Sequence, residues 1–348
     1  MKAVRIHKHG GLERLTYESV PDPKIQPNEV LVAVKACALN YLDLWTRQGI
    51  AGIKIPLPVI PGTDISGVVH ETGDMVSGIK KGDKVLLSPG VSCGECKYCL
   101  AGNDNMCPDY TLLGFKRDGG CAEYVKVPST NVIPMPQGIN FVEGASIPLV
   151  FLTAWHMLVA RAKVQPGEDV LVLAAGSGVG IAAIQIAKLF GARVIATAST
   201  EEKLAKAQDL GADDTVNYVK KDFHAEVMKL TDKKGVEVVI EHVGPATWEK
   251  SILSLARAGR LVTCGATTGP IVKLDLRYIF SRHLSVLGSY VGSKAELLEV
   301  LKYFPEKKLH PVVDRVLTLK DVKVAHKLLE DRKQFGKVVL TPSASSRT

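Results

Sequence analysis

A glycine-rich turn between two apolar strands is the feature that most constrains how this chain folds. Residues 170–200 read VLVLAAGSGVGIAAIQIAKLFGARVIATAST, which predicts a strand, a tight turn, a helix and a second strand. Ala175 and Ser177 hold the first two glycine positions of the G-x-G-x-x-G pattern, and Gly180 holds the third. The remaining glycines still let the backbone approach a pyrophosphate, whose charge the helix start attracts. We predict that a dinucleotide is bound by Gly176, Ser177, Gly178, Val179 and Gly180. The alternative is a tight turn between strand and helix that binds no ligand.

The end of the second strand indicates which dinucleotide binds. An NAD-preferring site usually has Asp or Glu there, which hydrogen-bonds the ribose 2′-hydroxyl. Here residues 196–200 read Ala-Thr-Ala-Ser-Thr, and the first carboxylate is Glu201. A site formed by Ser199, with Lys203 nearby, would accommodate a 2′-phosphate without like-charge repulsion. We predict NADPH in preference to NADH. The alternative is that these two residues form a solvated helix start.

Two patterns divide the 348 residues, a length that suggests two domains. Residues 1–150 contain short strands broken by Gly, Pro and Asp, whereas strands and helices alternate over 151–290. That alternation predicts a doubly wound parallel sheet. From about residue 291, two amphipathic helices and a strand could belong to either domain. The strands predicted in the alternating part are Asp169–Ala174, Arg193–Ala198, Asp214–Asn217, Val236–Glu241, Arg260–Gly265 and Leu284–Leu287.

Four of the seven cysteines lie within fifteen residues, in the segment 90–110. Four thiolates in one loop complete a tetrahedral Zn²⁺ site that leaves no position for water or substrate. We therefore predict one structural zinc ion, because four free thiols on a loop are unfavourable chemistry. The remaining cysteines, Cys37, Cys121 and Cys264, are expected to be isolated, small buried hydrophobes. The predicted ligands are Cys93, Cys96, Cys99 and Cys107.

The net charge of +8 is dispersed along the chain and forms no block of like charges. It favours solubility or attraction of anionic small molecules, and nucleic-acid binding is not expected. No signal peptide is visible, and the apolar run near Ile147–Val159 is too short to span a bilayer. We expect a cytoplasmic protein that acts on a small-molecule substrate.

The turn, the cysteine segment and the overall pattern together resemble the medium-chain dehydrogenase/reductase superfamily. The likeness runs from MKAVRIHKHG to FGKVVL. It implies an α/β fold: a GroES-like β-barrel domain of residues 1–150 and 291–348, and a Rossmann domain of residues 151–290. It also implies a homodimer or homotetramer, through the edge strand near Leu284–Tyr290. Because the zinc alcohol dehydrogenases of this superfamily have the same four-cysteine lobe, the four cysteine ligands carry over.

The second, catalytic zinc of those alcohol dehydrogenases does not carry over. Its ligands are a cysteine, a histidine in a G-H-E motif and a second cysteine. The matching positions here are Asn40 in CALNYLD, Thr63 in PGTDISG and Leu149 in ASIPLVFLTAW, and Asp64 replaces the glutamate. None of the three supplies the thiolate or imidazole that zinc favours. We expect no catalytic metal at these positions and no cation beside the nicotinamide ring.

The substituted positions instead resemble the quinone oxidoreductase and enoyl-reductase branch, which works without a catalytic metal. ALNYLDLWTRQG, LTAWHML and TVNYVKKD carry this likeness. By resemblance, Thr153 would lie near the nicotinamide, and Asn40 and Tyr41 would face the substrate. Ser199, Lys203 and Tyr218 would lie near the 2′-phosphate.

Without a Lewis acid, hydrogen-bond donors must stabilise negative charge that develops on a substrate oxygen. The candidates are Asn40, Tyr41 and Thr63, and each could instead be structural: a strand-end cap, a packing residue and a turn residue. The predicted function is NADPH-dependent hydride transfer to an activated C=C or a quinone. The alternatives are a zinc-dependent alcohol dehydrogenase acting on a small alcohol or aldehyde, and a non-catalytic nucleotide- or nucleic-acid-binding protein.

Overall fold

The computed structural model describes residues 1–342 and divides into two compact units. One unit contains Met1–Leu149 and residues 293–342, and the other contains Val150–Gly292. Among residues 1–342, no helix combines the length and the apolar composition that crossing a membrane requires.

The first part of the chain forms short strands joined by turns. Its strands are β1 (Lys2–Ile6), β2 (Leu15–Ser19), β3 (Glu29–Ala38), β4 (Asp64–Thr72), β5 (Lys84–Leu87), β6 (Gly90–Val91), β7 (Thr111–Leu112), β8 (Tyr124–Pro128) and β9 (Val132–Pro134). Its helices are α1 (Tyr41–Gln48), α2 (Lys97–Leu100) and α3 (Phe141–Gly144). Helix α4 (Pro148–Trp155) spans the boundary between the two units and belongs mostly to the second. Strand β3 is the centre of the main sheet, because it pairs antiparallel with both β4 and β8.

The second unit is a parallel sheet with helices between its strands. Its elements are β10 (Asp169–Val172), α5 (Gly178–Leu189), β11 (Arg193–Ala198), α6 (Glu201–Asp209), β12 (Asp214–Asn217), α7 (Phe223–Leu230), β13 (Val236–Glu241), α8 (Trp248–Leu253), β14 (Leu255–Thr263), α9 (Leu276–Arg282) and β15 (Ser285–Gly288). The strand order is β12-β11-β10-β13-β14-β15. This confirms the predicted doubly wound sheet, whose order reverses between β10 and β13. Such a reversal opens a crevice at the carboxyl ends of the strands, where dinucleotides bind.

The last part of the chain belongs to the first unit. Its elements are α10 (Lys294–Leu301), β16 (Val313–Thr318), α11 (Val322–Glu330) and β17 (Lys337–Thr341). Strand β17 pairs antiparallel with β3 in a register that sets Val339 opposite Ala38. This pairing brings the start of β17 to the end of β3, and therefore brings Lys337 to Asn40.

Candidate active site

The glycine-rich turn lies between β10 and α5, as the sequence predicts. Ser177 caps the helix: the Gly180 amide donates to its Oγ at 2.9 Å. A Cβ on Gly180 would lie 2.5 Å from the Ala174 carbonyl oxygen, so only glycine fits this approach of helix to strand. The first-turn amides of Gly178 and Val179 have no acceptor within the helix. The turn therefore fits a diphosphate, which would accept those hydrogen bonds.

The ends of β11 and β12 bring Ser199 and Tyr218 together. The two strands are in parallel register, and the Tyr218 amide donates to the Ala198 carbonyl at 3.2 Å. The first carboxylate after β11, Glu201, is held by the Lys220 ammonium at 2.9 Å and by the Asn217 side-chain amide at 2.8 Å. Its negative charge is therefore partly compensated. Lys203 lies in the first turn of α6, where its amide donates to Thr200.

His242 was not identified from the sequence. It follows β13 directly, on the strand beside β10, and its Nε2 lies 3.2 Å from Ser177 Oγ. Its neighbour Glu241 is fully buried, and backbone amides and hydroxyls satisfy both of its carboxylate oxygens. A polar residue directly after the strand next to the glycine-rich turn was the signal that could have revealed His242. Thr153, the residue expected near the nicotinamide, is buried in α4.

Asn40, Asp64 and Lys337 form a buried cluster in the first unit. The Lys337 ammonium donates to Asn40 Oδ1 at 2.5 Å and to Asp64 Oδ2 at 2.9 Å. Asn40 Nδ2 donates to the same Asp64 oxygen at 2.9 Å, and the Leu149 amide donates to the other at 2.7 Å. A lysine ammonium therefore lies beside Asn40, one of the three positions that correspond to zinc ligands in the alcohol dehydrogenases. Its charge is paired with a carboxylate.

The residues around this cluster differ in how far their hydrogen bonds are satisfied. Asn40 begins α1, and its amide donates to Asp43 Oδ2 at 2.7 Å, so the side chain and backbone of Asn40 both have structural partners. Thr63 is completely buried, and its hydroxyl has no hydrogen-bond partner among residues 1–342. Tyr41 is partly buried, with its ring edge-on to Trp45 at 5.2 Å between centroids. Thr63 is therefore the candidate donor with unused capacity.

The four-cysteine segment brings its thiols together around one point. All four sulfur atoms lie within 4.8 Å of one another, and Cys93 and Cys107 are 3.5 Å apart. A tetrahedral zinc ion with bonds of about 2.3 Å separates its sulfur ligands by about 3.8 Å, so the cluster fits zinc. Hydrogen bonds from the Glu95 and Cys96 amides lower the pKa of Cys93 to about 7. Within residues 1–342, no other group of three or more His, Cys, Asp or Glu has comparable geometry.

The other cysteines are buried or partly buried, but two of them are not isolated, contrary to the sequence expectation. The sulfur atoms of Cys37 and Cys121 lie 3.9 Å apart, and neither residue is exposed to solvent. They enclose Gly62, where a Cβ would lie 2.4 Å from the Cys37 sulfur. The backbone before Thr63 therefore packs closely against these two thiols.

Comparison with known proteins identifies the family. A family model described as "Alcohol dehydrogenase GroES-like domain" matches residues 26–137, and one described as "Zinc-binding dehydrogenase" matches residues 178–306. A zinc-type alcohol dehydrogenase-like protein of Schizosaccharomyces pombe is 34% identical over 95% of this chain and 96% of its own length. The chain belongs to the medium-chain dehydrogenase/reductase superfamily. This result confirms the resemblance and the α/β fold with GroES-like and Rossmann domains.

Other members of the superfamily are also similar to this chain over their whole length. Acryloyl-coenzyme A reductase of Sulfurisphaera tokodaii is 33% identical over 98% of this chain and 100% of its own. A crystal structure of an NAD-dependent alcohol dehydrogenase is 50% identical, with a TM-score of 0.95, and covers 99% of this chain and 100% of its own. This chain is accordingly an NAD(P)H-dependent oxidoreductase. Its family and its cysteine cluster support a nicotinamide cofactor and zinc.

Proposed function

We propose that this dehydrogenase/reductase transfers hydride from NADPH to an activated C=C or a quinone without a catalytic metal. The observation that carries the proposal is the chemistry of Asn40, Thr63 and Leu149, the three positions where related enzymes bind zinc. A carboxamide, a hydroxyl and an alkyl group are a poor donor set for zinc. The nearest carboxylate, Asp64, already has the Lys337 ammonium and two amide hydrogens as partners. The residues present therefore do not fit a catalytic zinc ion.

The proposed mechanism relies on hydrogen-bond donors of the first unit. Bound NADPH supplies the hydride, which suits an electrophilic carbon conjugated to a carbonyl. The buried hydroxyl of Thr63 has a hydrogen to donate to the oxygen that becomes negative, and Tyr41 is the second candidate donor. Asn40 acts indirectly, because its amide hydrogen bonds are made to Asp64. We therefore assign Asn40 to holding α1 and the Lys337–Asp64 pair in position.

Substitution of Thr63 tests this mechanism. Thr63→Val retains the shape and removes the donor, so kcat for an enone or quinone should fall about 10- to 100-fold while the Kd for NADPH is unchanged. Thr63→Ser keeps the hydroxyl and should retain most of the activity. If the valine variant turned over as fast as wild type, Thr63 would have no part in the reaction.

Alcohol dehydrogenation is the second candidate, and the 50% identity to an NAD-dependent alcohol dehydrogenase favours it. Oxidation of an unactivated alcohol requires stabilisation of an alkoxide, which zinc ordinarily provides. A panel of quinones, enones, enoyl-CoA thioesters and simple alcohols, assayed with both nicotinamides, distinguishes the two functions. We expect reduction of the first three classes and one zinc ion per chain. Alcohol oxidation with two zinc ions per chain would refute the proposed function.

The proposed preference for NADPH is supported by the surroundings of the ribose-binding strand end. Ser199 and Tyr218 offer hydroxyl groups, and Lys203 lies one turn further along. Glu201 is engaged by Lys220, so it is not a free acceptor for a ribose hydroxyl. The four cysteines are proposed to hold one structural zinc ion.

We also propose a homodimer or homotetramer formed through β15. This strand is the last in the order of the parallel sheet, so one edge of it has no partner strand within the unit. Large apolar side chains are exposed nearby, including Val286 at 40% and Phe280 at 67%. Unpaired edges with apolar neighbours favour pairing with a second copy.

The cytoplasmic location of the protein stays a prediction.

A further inference from the structure

A buried histidine of the second unit has one ring nitrogen without a partner. His242 is 8% exposed and follows β13, at the point where the strand order reverses beside β10. Its Nε2 contacts Ser177 Oγ at 3.2 Å, whereas its Nδ1 has no hydrogen-bond partner among residues 1–342. The neighbouring Glu241 cannot serve, because four other groups already occupy its carboxylate.

One tautomer of His242 lets Ser177 donate a hydrogen bond as well as accept one. Its Oγ accepts from the Gly180 amide, which leaves the hydroxyl hydrogen free to be donated. When Nε2 of His242 accepts this hydrogen, the ring hydrogen lies on Nδ1. Burial lowers the pKa of His242, which keeps the ring neutral at pH 7. In this tautomer Nδ1–H is a buried donor, oriented by the same serine that caps the dinucleotide-binding helix.

An unsatisfied buried donor at a ligand site indicates that the ligand supplies its acceptor. The glycine-rich turn fits a diphosphate, and its serine contacts this ring. We propose that His242 is a cofactor-binding residue whose Nδ1–H donates a hydrogen bond to an oxygen of the diphosphate–ribose portion of the bound dinucleotide. This proposal rests on the nicotinamide dependence of the enzyme and is independent of its substrate and of the 2′-phosphate preference.

Three variants of His242 separate its two nitrogens. The side-chain amide of His242→Asn can replace Nδ1–H, that of His242→Gln can replace only Nε2, and His242→Phe has neither. The Kd values of NADPH and NADH are measured by nucleotide fluorescence, without any substrate. We expect Gln and Phe to raise the Kd of both dinucleotides about tenfold, and Asn to stay within about threefold of wild type.

Two outcomes would overturn the proposal. The first is wild-type affinity in His242→Gln, because Nδ1 would then make no contact with the dinucleotide. The second is an equal loss in His242→Asn and His242→Gln, because the effect would then arise from packing. Both dinucleotides are measured. If the proposed NADPH preference were wrong, the ratio of the two Kd values would change, but the comparison of each variant with wild type would not.

A measurement on the wild-type protein covers the case in which the variants fail to fold. With ¹⁵N-labelled histidine, the Nδ1 resonance of His242 should shift when NADP⁺ or NAD⁺ is added, because a new acceptor changes its shielding. Adenine alone, which lacks both the ribose and the diphosphate, should leave it unmoved. A resonance that does not respond to either dinucleotide would contradict the assignment.

Discussion

The Lys337 ammonium and the Asp64 carboxylate lie 2.9 Å apart, and neither side chain is more than 2% exposed. Desolvation of two such charges is expensive, and their attraction offsets it only when other hydrogen bonds complete the pair. Asn40 and the Leu149 amide provide those bonds. The pair therefore fixes three segments of the first unit: the end of β3, the start of β4 and the start of β17.

Removing one charge of this pair should destabilise the protein strongly. Lys337→Met leaves Asp64 buried without its cation, so the free energy of unfolding should fall by about 3–5 kcal/mol. The double variant Lys337→Met/Asp64→Asn should recover a large part of this loss, because no uncompensated charge remains. Urea unfolding of the three proteins measures the effect. If the double variant were as unstable as Lys337→Met, loss of packing rather than charge would be the cause.

The sequence could reveal the strands of the parallel sheet but not this pair. Arg193–Ala198, Asp214–Asn217 and Val236–Glu241 were predicted with their observed bounds, because short apolar runs between turns are a local signal. Lys337 and Asp64 are 273 residues apart, and their contact depends on the pairing of β17 with β3. A tertiary pairing of this kind has no local signature.

The same limit explains why the sequence left Asn40 ambiguous and why His242 was not identified from it. Asn40 was predicted either as a donor or as a cap, and only the position of Asp64 shows that its side-chain amide is already engaged. For His242 the sequence offered only the signal of a polar residue directly after a strand, and its position next to Ser177 depends on the strand order. The glycine-rich turn, in contrast, was predictable because its function depends on consecutive residues.

Burial of Asp43 should make its contribution to the stability of the protein decrease as the pH rises. Burial raises the pKa of Asp43 to about 6 from 3.8. The folded state therefore binds this proton more tightly than the unfolded state, and the contribution of Asp43 to stability falls as pH rises from about 4 to about 6. The total change is roughly 2–3 kcal/mol.

Comparison of Asp43→Asn with wild type isolates this contribution. We subtract the unfolding free energy of the variant from that of wild type. This difference should decrease as the pH rises from 4 to 6. Asp74→Asn, at an exposed carboxyl group, is the matched control. A difference that grew in favour of wild type over this range would show that hydrogen bonds to the carboxylate outweigh its burial.

The four-cysteine cluster should bind one zinc ion that supports structure and not chemistry. Metal analysis of the purified protein should give about one zinc per chain, and Cys96→Ser should reduce this value well below one. The Kd for NADPH should be unaffected in that variant, because a closed zinc site offers no position to a ligand. Cys264→Ala, outside the cluster, should keep its zinc. A zinc content near zero in the wild-type protein would contradict the cluster assignment.

A carboxylate at the end of β11 should reverse the proposed cofactor preference. Ser199→Asp adds a negative charge where the 2′-phosphate is expected, so the Kd for NADPH should rise tenfold or more, whereas NADH should bind as well as before or better. Ser199→Ala, which adds no charge, should change the NADPH affinity only a few-fold. Equal effects of Ser199→Asp on both dinucleotides would mean that this residue does not face the 2′ position.

A charge on the free edge of the parallel sheet should dissociate the proposed oligomer. Light scattering should give wild type a mass of two or four 37.5-kDa chains. Val286→Lys inserts an ammonium in β15, where pairing with a second copy would bury it, so this variant should be a folded monomer. Val324→Lys, at a similarly exposed apolar position on α11, should retain the wild-type mass. If Val286→Lys also kept that mass, the copies would associate through another surface, because a buried lysine opposite its own copy would cost more than an edge-strand interface could offset.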